Sequence, residues 1–276
     1  MGTSPLNAGV SLTNKPASED TDEEGWQPLS GGTVNNVRRK GDVVRRPWNP
    51  QSEAILQVFR RLGDRRVQGI PQILGRTRDF VELRYIEGAP VLRPWPAEVK
   101  TDAWLKQLGN WLAVYHQAIE GFELRNGARF IWGPDTPAVG MIVCHGDLGP
   151  WNFLHVAGNL TGVIDWDLAY FGPALDNLAH LATEMVPLRE PRKDNMGKDI
   201  SRSQRMHRLE VLLDAFGNVN PSELLQHTLD WYQRLIKETE SYAQRGVAPF
   251  DDFVKRGFLE EYAADCHYIQ EVWIDH

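Results

Sequence analysis

Short apolar runs broken by glycine and polar pairs fill the first third of the chain, and longer runs with helical spacing fill the rest. Trp26 to Leu29, Val34 to Arg39, Val43 to Arg46, Ile70 to Gly75 and Asp79 to Ile86 read as strands, with turns at Ser30-Gly31-Gly32-Thr33 and Lys40-Gly41-Asp42. Ser52 is placed to cap a helix running to about Leu62. Trp104, Leu105, Leu108, Trp111, Leu112, Tyr115 and Ile119 recur at three/four spacing and predict a helix over 101–119. Further helices are predicted over 173–185, 200–216, 221–242 and 250–274. Between the two helical regions, Met141 to Val143, Phe153 to Val156 and Leu160 to Ile164 read as strands. A hairpin turn centred between Gly158 and Asn159 sets Asn152 opposite Asp165. Residues 1–25 are polar, acidic and poor in large apolar side chains, and read as a disordered tail.

This order, strands with one helix and then mostly helices, predicts an α+β chain of two lobes. The expected divisions are the tail at 1–25, a small antiparallel-sheet lobe at 26–88 and a mostly helical lobe at 89–276. At 276 residues with 42% hydrophobic content the chain has an ordinary globular composition. No apolar stretch approaches the roughly 18 residues of a membrane helix, so no membrane partner is expected. No basic-then-apolar leader opens the sequence. Two cysteines, Cys144 and Cys266, suit a reducing cytoplasm. The basic patches lack interleaved aromatics, which argues against nucleic acid.

Charge is uneven. The tail has one lysine against five acids, and residues 26–90 have twelve Lys/Arg against six acids, so the remainder carries −9 of the net −7. A basic lobe over an acidic one suits phosphate on one side and a cationic molecule on the other.

The chemistry gathers at the central hairpin. Asp147 sits a short loop upstream of the end that carries Asn152 and Asp165. These are hard oxygen donors with no thiolate among them, a set that suits Mg²⁺ and through it a nucleotide's phosphates. A carboxylate not used by the metal can accept a proton from a hydroxyl. The Asp-x-x-x-x-Asn spacing, with a second Asp beyond a hairpin, equals that of a kinase catalytic loop.

His145-Gly146-Asp147-Leu148-Gly149-Pro150-Trp151-Asn152, followed by Ile164-Asp165-Trp166-Asp167, resembles the aminoglycoside phosphotransferase family of small-molecule kinases. The resemblance continues through Asp176-Asn177-Leu178-Ala179 and Val186-Pro187-Leu188, and covers about residues 28 to 276. It implies a protein-kinase-like fold and Mg²⁺-dependent transfer of the γ-phosphoryl of ATP or GTP to a hydroxyl of a small molecule, such as an antibiotic or metabolite. Asp147 would be the base, with His145 bracing its loop, and Asn152 and Asp165 would hold the metal. The Gly31-Gly32 tip and Arg45 would hold phosphates, with Arg45 at the family's usual lysine and Glu53 placed to pair with it. The backbone at Arg84 and Ile86 would meet the base, and Asp176 would support the catalytic loop. Two other classes stay open: a non-catalytic binding or immunity protein on the same scaffold, and a metal-dependent hydrolase using the same acids.

Overall fold

The computed structural model describes residues 25–29, 37–192, 200–217 and 219–275. The Gly31-Gly32 tip and the tail lie outside them. Five antiparallel strands form the N-terminal sheet: β1 (Gln27–Pro28), β2 (Arg38–Lys40), β3 (Val43–Pro47), β4 (Ile73–Arg76) and β5 (Phe80–Arg84), in the order β1-β2-β3-β5-β4. Pleat alternation shows in β5, where Val81 and Leu83 are buried while Phe80 is exposed. The helix α1 (Ser52–Asp64) buries Ala54, Ile55, Leu56, Val58, Phe59 and Leu62 along one stripe. Ser52 does not cap it. Gln51 holds the cap position, and Ser52 turns back to bond Asn49 through both its backbone N–H (2.9 Å) and its side-chain amide oxygen (2.7 Å).

The strand β6 (Ala89–Pro90) leaves this sheet and pairs with the central hairpin, joining the two halves. The long helix α2 (Asp102–Ile119) is capped by Thr101, whose hydroxyl accepts from Trp104 N–H at 3.2 Å. Its apolar stripe packs along α4 (Arg202–Phe216), which opens on a reciprocal Ser201/Gln204 cap. The helix α3 (Leu175–Met185) is buried from Asp176 onward, beneath α5 (Pro221–Gln244). One continuous apolar core runs from α1 through α2 and α3 to the C-terminal helices.

Three elements depart from the sequence pattern. The predicted helix over 250–274 is two helices, α6 (Phe250–Lys255) and α7 (Phe258–Ile269), followed by a π-turn to Ile274. Gly257 separates them at φ 83°, a left-handed backbone that ends the first helix. The start of the predicted 173–185 helix is instead the end of a strand, Tyr170–Pro173. The central hairpin turns at Ala157-Gly158, both left-handed, and a bulge between Leu154 and His155 shifts the register. Asn152 is therefore bonded to Ile164, through Ile164 N–H to Asn152 O at 3.0 Å, and Asp165 follows one residue later.

The α2–α4 crossing depends on Gly109, where a Cβ would stand 2.8 Å from both Leu212 O and the Ala215 Cβ. Gly109→Ala gains up to about 1 kcal/mol of helix propensity, but overpacking costs about 1–3 kcal/mol. The expected result is a lower urea midpoint, and a raised midpoint would show that the two helices separate freely.

Candidate active site

Strand β7 (Met141–Cys144) pairs antiparallel with Tyr170–Pro173, Cys144 opposite Tyr170. That ladder brings both ends of the 145–169 segment to one place. The hairpin of Phe153–Val156 and Asn159–Val163 rises between them, so the loops holding Asp147 and Asp165 lie side by side.

His145 is fully buried, with its backbone N–H and both ring nitrogens engaged. Its N–H donates to Asn177 Oδ1 (2.9 Å), its Nδ1 accepts from Asp147 N–H (3.2 Å), and its Nε2 meets Ile164 O (3.1 Å). The two ring contacts fix one tautomer, with the proton on Nε2. Burial pushes the imidazole down to about 3, so it is neutral and braces the two loops together. Gly146 has φ 80°, and a Cβ there would lie 1.8 Å from Leu168 O, so only glycine allows this approach.

Asp147 has two unlike oxygens. Its Oδ2 accepts from Trp151 Nε1 (3.0 Å) and Asn152 Nδ2 (2.7 Å), while its Oδ1 is buried with no hydrogen-bond partner. Burial raises its carboxyl well above the usual range, and the charges of Asp165 and Glu184 add to this, against the pull of the Trp151 and Asn152 bonds. Trp151 reaches Asp147 by folding over Gly149, where a Cβ would stand 2.1 Å from its ring. Its role was not read from the sequence. The signal was there: an indole donor four residues after a carboxylate, across a Gly-Pro bend.

Asn152 is buried, and its Nδ2 also donates to Asp147 O at 2.8 Å. With the amide nitrogen so engaged, its oxygen is the free end. Asp165 follows the bulged strand at φ 63°, a strained backbone for a non-glycine residue, and opens to solvent on its outer side. Desolvation against its loop, then the like charge of Asp167, raises its carboxyl to about 6, and Arg46 opposes that rise. Trp166 beside it is buried. Its ring lies 4.4 Å from His145, 5.5 Å from Tyr115 and 5.9 Å from Phe59, and its Nε1 donates to Val163 O at 3.1 Å. Asp176 backs the loops from below, accepting from Tyr170 (2.8 Å), His227 (2.7 Å) and Arg234.

Among the described residues no cluster of three or more His, Cys, Asp or Glu side chains could hold a metal ion. The candidate donor set is one carboxylate, Asp165, and one carboxamide oxygen, that of Asn152. That set fits an ion such as Mg²⁺, which keeps its waters and takes phosphate oxygens, better than an all-protein metal cage.

The two β3 arginines differ from expectation. Arg45 bonds Glu82 (2.8 and 3.1 Å) and lies over the Trp26 ring at 3.9 Å, so it does not meet the motif. Arg46 on the other face of β3 reaches Asp167. The expected Arg45–Glu53 pair is not formed, because Glu53 bonds Arg60 (3.1 Å) and Arg76 (3.2 Å) at the surface. One alternation of the strand decides this, and the two adjacent arginines gave no signal to choose between them. At the interlobe linker Arg84 N–H is already engaged with Gln72 O at 2.8 Å, leaving only its carbonyl for a base. The Ile86 side chain packs against Gly162, where a Cβ would meet it at 2.8 Å.

No helix among the described residues is long and apolar enough to cross a membrane. A model described as "Phosphotransferase enzyme family" matches residues 134–212, which include the loops that hold Asp147, Asp165 and Asp176. The trifolitoxin immunity protein of Rhizobium leguminosarum bv. trifolii is 28% identical over 198 residues, 68% of this chain and 73% of that protein. A choline/ethanolamine kinase family protein from Mesorhizobium loti superposes with a TM-score of 0.57 at 18% identity, over 90% of this chain and 88% of that one. An aminoglycoside phosphotransferase solved with GDP and kanamycin superposes at 0.55 and 17% identity, over 90% and 96%. The chain thus has the protein-kinase-like fold shared by aminoglycoside phosphotransferases and choline/ethanolamine kinases, and its central segment matches the phosphotransferase enzyme family.

Proposed function

We propose that the chain transfers the γ-phosphoryl of ATP or GTP to a hydroxyl of a small molecule, with Asp147 as base. The observation that carries this reading is the division of labour within Asp147. One oxygen is pinned by Trp151 and Asn152, and the other is buried without a partner. An acceptor hydroxyl supplies the missing donor, is oriented by that bond and gives up its proton there. The raised affinity of the carboxyl for a proton favours the transfer. His145, neutral and fully bonded, holds the loop and exchanges no proton.

Asn152 and Asp165 would hold Mg²⁺. When bound, the ion would supply positive charge to neutralise the phosphates. Arg46, not Arg45, is the strand cation placed to hold phosphates, since Arg46 alone reaches the Asp165–Asp167 loop. The GDP-bound phosphotransferase supports a nucleotide in this cleft.

The acceptor in this reading is a small hydroxyl-bearing molecule. A positive charge on it, expected from the charge balance, draws less support from the fold. Asp251–Lys255 (2.9 Å), Asp252–Arg256 (3.3 Å), Asp265–Arg192 (2.8 Å) and Glu184–Arg189 (2.9 Å) are paired, so several acids of the helical half are already neutralised. The immunity-protein relative favours a second reading, in which the chain neutralises a toxic small molecule or peptide by binding it without turnover. Incubation of the chain with ATP or GTP and a panel of hydroxyl-bearing antibiotics and metabolites, read by product mass, separates the two. A product heavier by one phosphoryl group supports the kinase. Protection from a bound toxin with no phosphorylated product supports the binding protein.

Asp147→Asn should lower turnover by at least the 10²–10⁴-fold of a lost general base, while Mg²⁺-nucleotide affinity changes little. Near-normal turnover in that variant would remove Asp147 from the chemistry. Asp165→Ala should weaken Mg²⁺-dependent nucleotide binding more than Asn152→Ala, because a carboxylate gives the ion a full charge and a carboxamide only a dipole. Calorimetric titration with and without Mg²⁺ checks this order, and the reverse order would refute the assignment of the ligands.

A further inference from the structure

In a protein kinase the strand cation that holds the nucleotide's phosphates is itself held by a glutamate of the adjoining helix. This chain has the helix and an acid in its first turn, Glu53, yet the acid is engaged elsewhere. Its two oxygens bond Arg60 (3.1 Å) and Arg76 (3.2 Å), which are about half exposed, in a cluster at the surface. Arg45 is likewise committed, to Glu82 and to the face of Trp26. The cation left on the cleft side of β3 is Arg46, and its guanidinium is gripped by Asp167. That pair is mostly sheltered, with 14% and 17% of the two side chains exposed. Asp167 is held in turn, since its backbone oxygen accepts from Gln51 Nε2 at 3.2 Å and its neighbour Trp166 is locked in the core.

We infer that Asp167 has taken over the work of the helix glutamate and is the positioning residue for Arg46. This rests on the kinase reading above. Its consequence is particular to this chain. The residue that grips the cation, Asp167, and the candidate metal ligand Asp165 stand on one loop, two residues apart, instead of on two separate elements. The grip on the phosphates therefore follows the metal loop, and α1 takes no part in it through Glu53.

One side effect of removing the Asp167 charge runs against the expected result, which makes the metal-free arm of the test sharp. Arg46 is freed of a counter-ion, and a negative charge beside it is removed. Through-space electrostatics alone would then strengthen binding of an anionic nucleotide in the absence of Mg²⁺. A weakening there identifies lost orientation.

The full chain is titrated with ATP and with GTP, with and without Mg²⁺, by calorimetry, and the melting temperature of each ligand-free variant is recorded. Asp167→Asn should weaken Mg²⁺-nucleotide affinity by about tenfold or more, the scale of one charge-assisted hydrogen bond. Asp167→Glu should recover part of the loss. Arg46→Gln should weaken binding in the wild-type background and add little in the Asp167→Asn background, because the two act as a pair. Glu53→Gln should stay within about twofold of wild type, as expected for a surface ion pair. Asp167→Asn with unchanged affinity and a lowered melting temperature would make the pair a brace between the two halves and overturn the inference alone. A loss in Glu53→Gln as large as that in Asp167→Asn would overturn it too. A wild-type chain that binds neither nucleotide would refute the kinase reading, and this inference with it.

Discussion

The site depends on one buried indole. Trp166 sits between Asp165 and Asp167 with 1% of its surface exposed, and its ring meets His145, Tyr115 and Phe59 from the loop after β7, α2 and α1. Aromatic pairs of this kind add about 0.5–1.5 kcal/mol each beyond burial. More important is what they fix. With the ring locked, the residues before and after it project out of the core, Asp165 toward solvent and Asp167 to Arg46. A left-handed backbone at Asp165 would relax without such an anchor, because its cost is of order 1–3 kcal/mol.

The second constraint is the pairing of Met141–Cys144 with Tyr170–Pro173. It closes a loop of more than twenty residues at its base, and His145 then stitches the two sides together by bonds to Asp147 and Ile164. Below them Asn177, Asp176 and Tyr170 form a buried polar layer, tied to α5 through His227 and Arg234. Buried polar groups at such density hold their geometry because each unpaired atom would cost about 1–3 kcal/mol. Asp147 Oδ1, buried and without a partner among the described residues, is the atom proposed to take the acceptor.

The chain's likeness to both kinases and an immunity protein is not a contradiction in physical terms. The two proposed readings share one preorganised loop and differ in whether phosphoryl transfer follows binding. In this chain the first carboxylate and the carboxamide are hydrogen-bonded to each other, and the second carboxylate is present and exposed at the end of the hairpin.

Much of this was legible in the sequence. The Asp-x-x-x-x-Asn and Ile-Asp-Trp-Asp runs announced the loop chemistry, the three/four spacing announced α2, and the hairpin between the two motifs was readable from its Ala-Gly-Asn turn. Local chemistry and periodicity determine such features, because they depend on neighbours within a few residues. What the tertiary structure decided was which neighbour each polar group meets. A turn one residue earlier than the pattern placed it, partly offset by a bulge, set Asn152 against Ile164 instead of Asp165, and a left-handed residue re-aimed Asp165. The pleat of β3 sent Arg46, and not Arg45, to the metal loop, while Arg60 and Arg76 drew Glu53 away. A one-residue change of register reverses the face of every side chain, and ion pairs form between elements far apart in sequence. Neither is fixed by the local pattern, so the sequence by itself named the chemistry, and the packing of distant elements chose which residues carry it.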